Sequence, residues 1–262
     1  MTHPFLLGPR PRAFAHRGWH LGELHDLENS LSAFRRAAEE GFRYIETDVH
    51  ATADGVVVVN HDPTLERTTD GRGTIRRLPW SAVRTARVGG REPVCSLDEA
   101  LEELPETFFN IDVKEDSAVE PVLRVVRAHN AWERVCLASF AEHRLTRLRR
   151  AAGPKLLTST GKRSAGLLWL GSRWGGWPLR SLVVGGAAQV PQGFGAVRVI
   201  DRRFVRQAHR WGIEVHVWTV DDPAEMRQLL DAGVDGLVTD RPDLLNQVLR
   251  ERFGEPQPEV GG

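Results

Sequence analysis

The sequence predicts an α/β fold, a closed (β/α)8 barrel, on three observations. Its 262 residues match the size of one such barrel, although length alone also permits two small domains. Eight short β-rich runs alternate with helical or insertion segments, as parallel strands joined by crossover helices do. His16, Arg17, Glu46, Asp48, Asp112, Lys114, Phe140 and Trp218 fall at the carboxyl ends of those runs, where a barrel of this kind carries its chemistry.

Ala13–His16 is the first short buried strand, followed by a polar loop from Gly18 to Glu28. Asn29 or Ser30 caps a helix that ends at Gly41 and sets Leu31, Phe34 and Ala38 on one face. The stretch Tyr44–Asp62, YIETDVHATADGVVVVNHD, organises the chain: Ile45–Val49 is a buried strand, Asp54-Gly55 a two-residue hairpin turn, and Val56–Val59 a β-branched return arm. With those two residues at the centre of the turn, His61 falls opposite Asp48, and Glu46 shares their face. Pro63–Cys95 holds Gly, Arg and Thr without a long periodic run and reads as an insertion rather than a barrel layer.

Ser96–Leu104 is a capped helix, Phe108–Lys114 a buried strand and Val119–His129 a helix. Val135–Phe140 is a strand, Glu142–Ala152 a helix, and Lys155–Thr158 the weakest of the strands. Periodicity fades between Gly161 and Val184. Ala187–Pro191 then gives a short strand, Phe204–Trp211 a helix closed by Gly212, and Val215–Val220 a strong strand. Ala224–Asp231 is a helix with Gly233 at its end, Gly236–Asp240 the last strand and Leu244–Phe253 the last helix. The domain is therefore one barrel over 1–253 with an insertion at about 51–95, and the tail at 254–262 is expected to be disordered.

Lys plus Arg equals Asp plus Glu at 35 each, so no global field favours nucleic acid or an acidic membrane surface, and anion binding must be local. Cys95 and Cys136 have neither zinc spacing nor a disulfide framework and read as buried apolar fillers, which fits a reducing compartment. The apolar run near the N-terminus is too short for a signal peptide and no segment approaches membrane-spanning length, so the cytoplasm is the expected location.

Glu46, Asp48 and Asp112 at the ends of adjacent strands would repel one another unless a cation joins them, and hard oxygen ligands select magnesium or calcium over zinc. Glu28 or Asn29 would complete the shell. The competing reading pairs Glu46 and Asp112 with Lys114 and Arg17 as salt bridges. His16 and His61 flank this group and titrate near neutrality, which suits acid–base work at phosphorus, one imidazole taking a proton and the other giving one. Arg17 and Lys114 are cations of the same ring, and a guanidinium fits phosphate bidentately. Trp218 is either a barrel-filling aromatic or a wall for the alcohol portion of a substrate.

Eight motifs stand in order between Ala15 and Leu245: AHRG at 15–18, ENSLSAF at 28–34, ETDV at 46–49, DGVVVVNHDPTLERTT at 54–69, CSLDEAL at 95–101, IDVK at 111–114, SF at 139–140, and VWTV with GVDGLVTDRPDLL. In these the chain resembles the glycerophosphodiester phosphodiesterases. The resemblance implies a TIM-barrel phosphodiesterase with an insertion after the second barrel strand. It also implies His16 and His61 as the acid–base pair, Glu46, Asp48 and Asp112 as ligands of one divalent cation, Mg2+ or Ca2+, and Arg17 and Lys114 facing the phosphate. Two positions depart from the family pattern. Its usual third ligand is a glutamate, one methylene longer than Asp112, and its usual proline before Glu28 is here Leu27.

Leu167–Arg180, LLWLGSRWGGWPLR, brings Trp169, Trp174 and Trp177 into one segment. Positions 167, 170, 174 and 177 follow helical spacing, so they read as a face packed on the barrel; the alternative is an exposed aromatic lip that would grip a lipid chain or a membrane interface. The expected reaction is therefore metal-dependent hydrolysis of a small glycerophosphodiester to glycerol 3-phosphate and an alcohol. Its alternatives are a lysophospholipase D-like activity on a lysophospholipid and a barrel that binds phosphodiesters without turnover. The headgroup, the order of acid and base, and the oligomeric state stay open.

Overall fold

The computed structural model describes residues 2–174, 177–194 and 197–254. In chain order they form β1 (Arg12–His16), α1 (Leu31–Glu39), β2 (Tyr44–Ala51), α2 (Leu97–Glu103), β3 (Phe108–Val113), α3 (Val119–Ala128), β4 (Val135–Ala138) and α4 (Glu142–Ala152). There follow β5 (Leu157–Thr158), α5 (Lys162–Trp174), β6 (Ala187–Val190), α6 (Arg202–Arg210), β7 (Glu214–Val217), α7 (Pro223–Ala232), β8 (Gly236–Thr239) and α8 (Pro242–Phe253). The strands are parallel and hydrogen-bonded in the order β5-β4-β3-β2-β1-β8-β7-β6. A parallel bridge between Ser159 and Ala187 joins the two ends of that order, so the sheet closes on itself and buries its edges. Of the expected tail at 254–262, residues 255–262 lie outside the described residues.

Local chemistry sets the element ends. Ser30, not Asn29, caps α1, its hydroxyl accepting the Ala33 N–H at 3.2 Å, and this leaves the Asn29 side chain free for other work. Ser96 and Glu99 form a capping box at α2, and Gly233 at φ 89° ends α7 in a conformation that favours glycine. On β3, Phe109, Ile111 and Val113 point outward into the main apolar cluster beneath the helices, while Asn110 reaches across the interior to accept a bond from Gln189 at 2.7 Å. Phe34 of α1 meets Phe109 edge to face at 5.8 Å, and each ring, fully buried, contributes roughly 1.5–3 kcal/mol.

The barrel floor is apolar with one ionic knot. Phe14, Tyr44, Cys136, Leu157 and Val238 pack together, and Phe5 from an N-terminal turn closes the floor. Arg12, wholly buried, donates to both Glu214 oxygens at 2.9 Å and to the Tyr44 hydroxyl at 2.8 Å, and His216 Nε2 lies 3.0 Å from Glu214. Burial alone would raise the Glu214 carboxyl, but the bonds from His216 and Arg12 outweigh it and hold it down at about 2.

Two expectations are corrected. The hairpin after β2 pairs Val49 with Val59, His50 with Val58 and Ala51 with Val57, one residue out of the expected register. Asn60, not His61, therefore stands opposite Asp48, its N–H donating to the Asp48 carbonyl at 3.0 Å. The extra loop residue is Ala53: Thr52 faces Val56, its hydroxyl donating to Asp54 Oδ1 at 2.6 Å and accepting the Val56 N–H at 3.0 Å, and Gly55 at φ 81° completes the three-residue loop. In α5 the buried stripe is Ser164, Leu168 and Gly171, while Leu170 and Trp174 are 37% and 76% exposed. Ser164 faces Glu142 at 3.4 Å and accepts the Val184 N–H at 3.3 Å, and Leu167 packs on the main core as expected, while Leu170 and Trp174 of the expected face turn outward. The Trp177 side chain lies outside the described residues.

The segment between the hairpin and α2 is not structureless. Leu65, Ile75, Val83, Ala86, Val88 and Val94 make a small core of their own against Leu27 and Val58, and the Trp80 N–H donates to Asp54 at 2.9 Å. Among the described residues no helix is long and apolar enough to cross a membrane.

Candidate active site

The first corner of the site is a tight turn after β1. Arg17 and Asn29 both sit at positive φ, 56° and 59°, tied together by the Asn29 N–H donating to the Arg17 carbonyl at 2.9 Å. Gly18, at φ 87°, has the backbone of Ala33 only 2.9 Å from where a Cβ would stand. The glycine of AHRG is thus required twice, by conformation and by the closeness of α1. Parallel register then sets His16 beside Glu46 and Asp48 beside Asp112.

Asp48 is the centre of the charge ring. Lys114 Nζ lies 2.7 Å from Asp48 Oδ1 and 2.7 Å from Asp112 Oδ2, and Arg17 Nε lies 3.3 Å from Asp48 Oδ2. Asn29 donates to Asp48 Oδ2 at 3.2 Å, oriented by the Thr47 hydroxyl, which donates to Asn29 Oδ1 at 2.7 Å. Burial disfavours the Asp48 anion, yet Lys114 and Arg17 outweigh it and hold the carboxyl below its ordinary value. Glu46 stands the other way: burial, then the Asp48 charge, push it well above the usual carboxylate range. Burial also raises Asp112, with Lys114 offsetting only part of the effect. Of the salt bridges read as the competing account, Asp112 with Lys114 is present, whereas Arg17 turns to Asp48 and Glu28 instead of Glu46.

His16 Nδ1 is 2.6 Å from Asp240 Oδ1, and its Nε2 is 3.7 Å from Glu46 Oε2. An ionised carboxylate only accepts, so Nδ1 carries the proton and Nε2 is turned into the barrel mouth. Burial opposes the imidazolium, but the Asp240 bond and the Glu46 charge prevail and raise His16 above its ordinary value. Asp240 also meets His20 Nε2 at 3.2 Å; burial would raise it, yet the two imidazoles hold it far below the usual carboxylate range.

His61 follows the hairpin's return arm and is built alike, with Nδ1 2.6 Å from Asp62 Oδ1. Its backbone carbonyl meets His50 Nε2 at 3.1 Å. Arg67 ties this half to the first. It donates to Asp62 Oδ2 at 2.6 Å and to both Glu28 oxygens at 2.7 and 3.0 Å, while Glu28 accepts from Arg17 at 2.9 Å. Glu28 is thereby engaged by two arginines. At the mouth, Phe140 after β4 meets Trp218 after β7 edge to face at 5.5 Å, and Trp218 also packs on the floor cluster, as its barrel-filling reading expects.

Asp240, His20, Arg67 and the ties of Glu28 are absent from the sequence-level reading. Asp240 carried a usable signal, since it ends the last predicted strand just as His16 ends the first. Arg67 carried one too, since it lies within the motif DGVVVVNHDPTLERTT at 54–69.

The donor set suits a hard divalent cation. Glu46 Oε2 and Asp112 Oδ1 are buried carboxylate oxygens without a hydrogen-bond partner among the described residues, an arrangement that is costly unless a cation meets them. With Lys114 lodged between Asp48 and Asp112, no three acidic, imidazole or thiol groups among the described residues close into a metal shell as they stand.

Comparison with known proteins bears on this geometry. The model of the Glycerophosphoryl diester phosphodiesterase family matches residues 16–244. A Mycobacterium tuberculosis protein named "Probable glycerophosphodiester phosphodiesterase 2" is 42% identical over 245 residues, covering 92% of this chain and 91% of its own. A glycerophosphodiester phosphodiesterase from Caldanaerobacter subterraneus subsp. tengcongensis is 29% identical over 88% of this chain and 96% of its own. The crystal structure of a glycerophosphodiester phosphodiesterase from Thermotoga maritima superimposes with a TM-score of 0.72 at 26% identity, over 92% of this chain and 99% of that one.

Proposed function

The chain belongs to the Glycerophosphoryl diester phosphodiesterase family, and from that membership and the geometry of its barrel mouth we propose that it hydrolyses glycerophosphodiesters to glycerol 3-phosphate and an alcohol. One observation carries the reading. Two imidazoles, His16 and His61, each have a carboxylate 2.6 Å from Nδ1, and His16 presents its Nε2 3.7 Å from Glu46 Oε2 in the ring of Glu46, Asp48, Asp112, Arg17 and Lys114.

In the proposed mechanism Arg17 and Lys114 hold the anionic phosphodiester, bringing positive charge against oxygens that gain charge in the transition state. One histidine takes the proton from the nucleophile, water or the glycerol 2-hydroxyl. As the bond from phosphorus to the alcohol oxygen breaks, the other protonates the departing alkoxide. Attack by the 2-hydroxyl passes through a cyclic phosphate that water then opens. A magnesium or calcium ion held by Glu46, Asp48 and Asp112 would withdraw charge from the phosphoryl oxygens as a Lewis acid. Asp240 and Asp62 keep the imidazoles in the tautomer these transfers need. The proposed setting is the cytoplasm and the turnover of deacylated lipid, which suits two free, buried cysteines.

The test is product release from glycerophosphocholine by the purified protein with magnesium, with calcium and with chelator. Glycerol 3-phosphate that depends on the ion is expected; saturable binding without product in every condition would leave a phosphodiester-binding barrel instead. The apolar pair Phe140 and Trp218 favours a second reading, release of choline from lysophosphatidylcholine, assayed on the same preparation.

A further inference from the structure

The chain is neutral overall, yet no acidic residue lies between Glu142 and Asp201, a span that carries ten lysines and arginines. The 35 acidic residues all fall elsewhere, among the other 25 basic ones. In the fold this span is the flank made by most of α4 with β5, α5 and β6.

Helix α5 holds this flank to the side of the barrel that carries the site. At its start the Lys162 ammonium lies 5.3 Å above the ring of Phe140, the aromatic at the mouth. At its end Arg173 meets Asp201, the N-cap of α6, at 3.0 Å. Phe140 and Asp201 both follow the carboxyl end of a strand, so both ends of α5 are anchored on the mouth side. The outward face then shows Leu170 at 37% and Trp174 at 76% exposure, and Leu182, after the following turn, at 49%. Arg163 stands exposed on the same helix with no ion-pair partner among the described residues.

We propose that this face, centred on Trp174 and Leu170, docks the protein on an anionic lipid bilayer with the barrel mouth toward the membrane surface. Tryptophan and leucine with flanking basic residues enter the headgroup boundary together, the rings by burial and the cations by attraction to anionic lipid. A second copy of the chain is the poorer occupant, because in a two-fold contact the span offers no acidic side chain of its own to meet the cations of its mate. Nucleic acid would account for the cations but not for an aliphatic and indole ridge raised above them. The inference concerns binding alone and stands apart from the proposed reaction.

Vesicle flotation tests it, using the full chain with phosphatidylglycerol-containing vesicles and with pure phosphatidylcholine vesicles at low and high salt. Retention is expected on the anionic vesicles only, with release by salt, and ~10-fold or weaker affinity for Trp174→Ala with Leu170→Ala. An Arg163→Glu protein should weaken in the same direction, while hydrolysis of soluble glycerophosphocholine by the Trp174→Ala protein stays at the parent rate. Equal retention on neutral and anionic vesicles, or variants that bind like the parent, would overturn the proposal. So would a lipid-free dimer in light scattering that Trp174→Ala dissolves, or retention on nucleic acid in place of lipid.

Discussion

His16 and Asp240 stand 2.6 Å apart, so the last strand of the barrel orients the imidazole that the first one delivers. Asp240→Asn is expected to keep the fold and the substrate affinity but to lower turnover by roughly 10²- to 10⁴-fold, since an amide can no longer fix the proton on Nδ1. Steady-state kinetics with circular dichroism as the control will show it. A variant with parent turnover would remove Asp240 from the mechanism.

Removing either imidazole tests the pair directly. His16→Ala and His61→Ala should each lose about 10²- to 10⁴-fold in turnover, about 3–5 kcal/mol, with unchanged thermal unfolding. If the two histidines act on one proton circuit, the double variant should be scarcely slower than the worse single one.

Arg67 gives a subtler expectation. Its side chain is 45% exposed, so its ion pairs with Glu28 and Asp62 are screened and its loss should cost stability less than about 1 kcal/mol. The same change unties His61 from Arg17, and Arg67→Ala should lower kcat by ~10-fold with little effect on KM. Arg67→Lys keeps the charge but not the fork and should recover only part of the rate.

Metal dependence has a readout besides turnover. If Glu46, Asp48 and Asp112 hold the ion, adding magnesium or calcium to chelated protein should raise its melting temperature with saturation. Asp112→Asn should then need roughly 10- to 100-fold more metal for the same rise. A melting temperature indifferent to both ions in the parent would count against this ligand set.

The floor of the barrel predicts a pH effect remote from the site. Glu214 is held at about 2, below its ordinary 4.5, so its contribution to stability is full above 4.5 and is lost as pH falls through that window. Glu214→Gln leaves Arg12 as a buried cation with no counter-charge and should cost about 3–5 kcal/mol at pH 7. The gap between parent and variant in urea titrations should close between pH 4.5 and 2.

Most of the barrel was legible because most strands are β-branched or aromatic runs and several helices carry their end signals, as Ser96 with Glu99 does at the start of α2 and Gly233 at the end of α7. The hairpin register was not, because valines fall on both faces of the return arm and a side-chain bond, Thr52 to Asp54, decided the loop length. The outward turn of Leu170 and Trp174 on α5 was missed because the buried stripe includes Ser164 and Gly171, small residues that hydrophobic spacing does not register. In the site, residues at strand ends could be found by position, whereas Arg67 and His20 act through partners 39 and 220 positions away, on Glu28 and Asp240. Such distances are fixed only by the closed barrel.

The 224 positions between His16 and Asp240 also have a meaning in time. At about 5–20 residues per second, translation leaves an interval of roughly 10–45 s between the first of these residues and the second. Throughout that interval the emerging chain lacks both the stave that seals the barrel and the carboxylate that sets His16. A product that ends before Asp240 would carry His16, His61 and the charge ring, yet it would lack the carboxylate that orients His16.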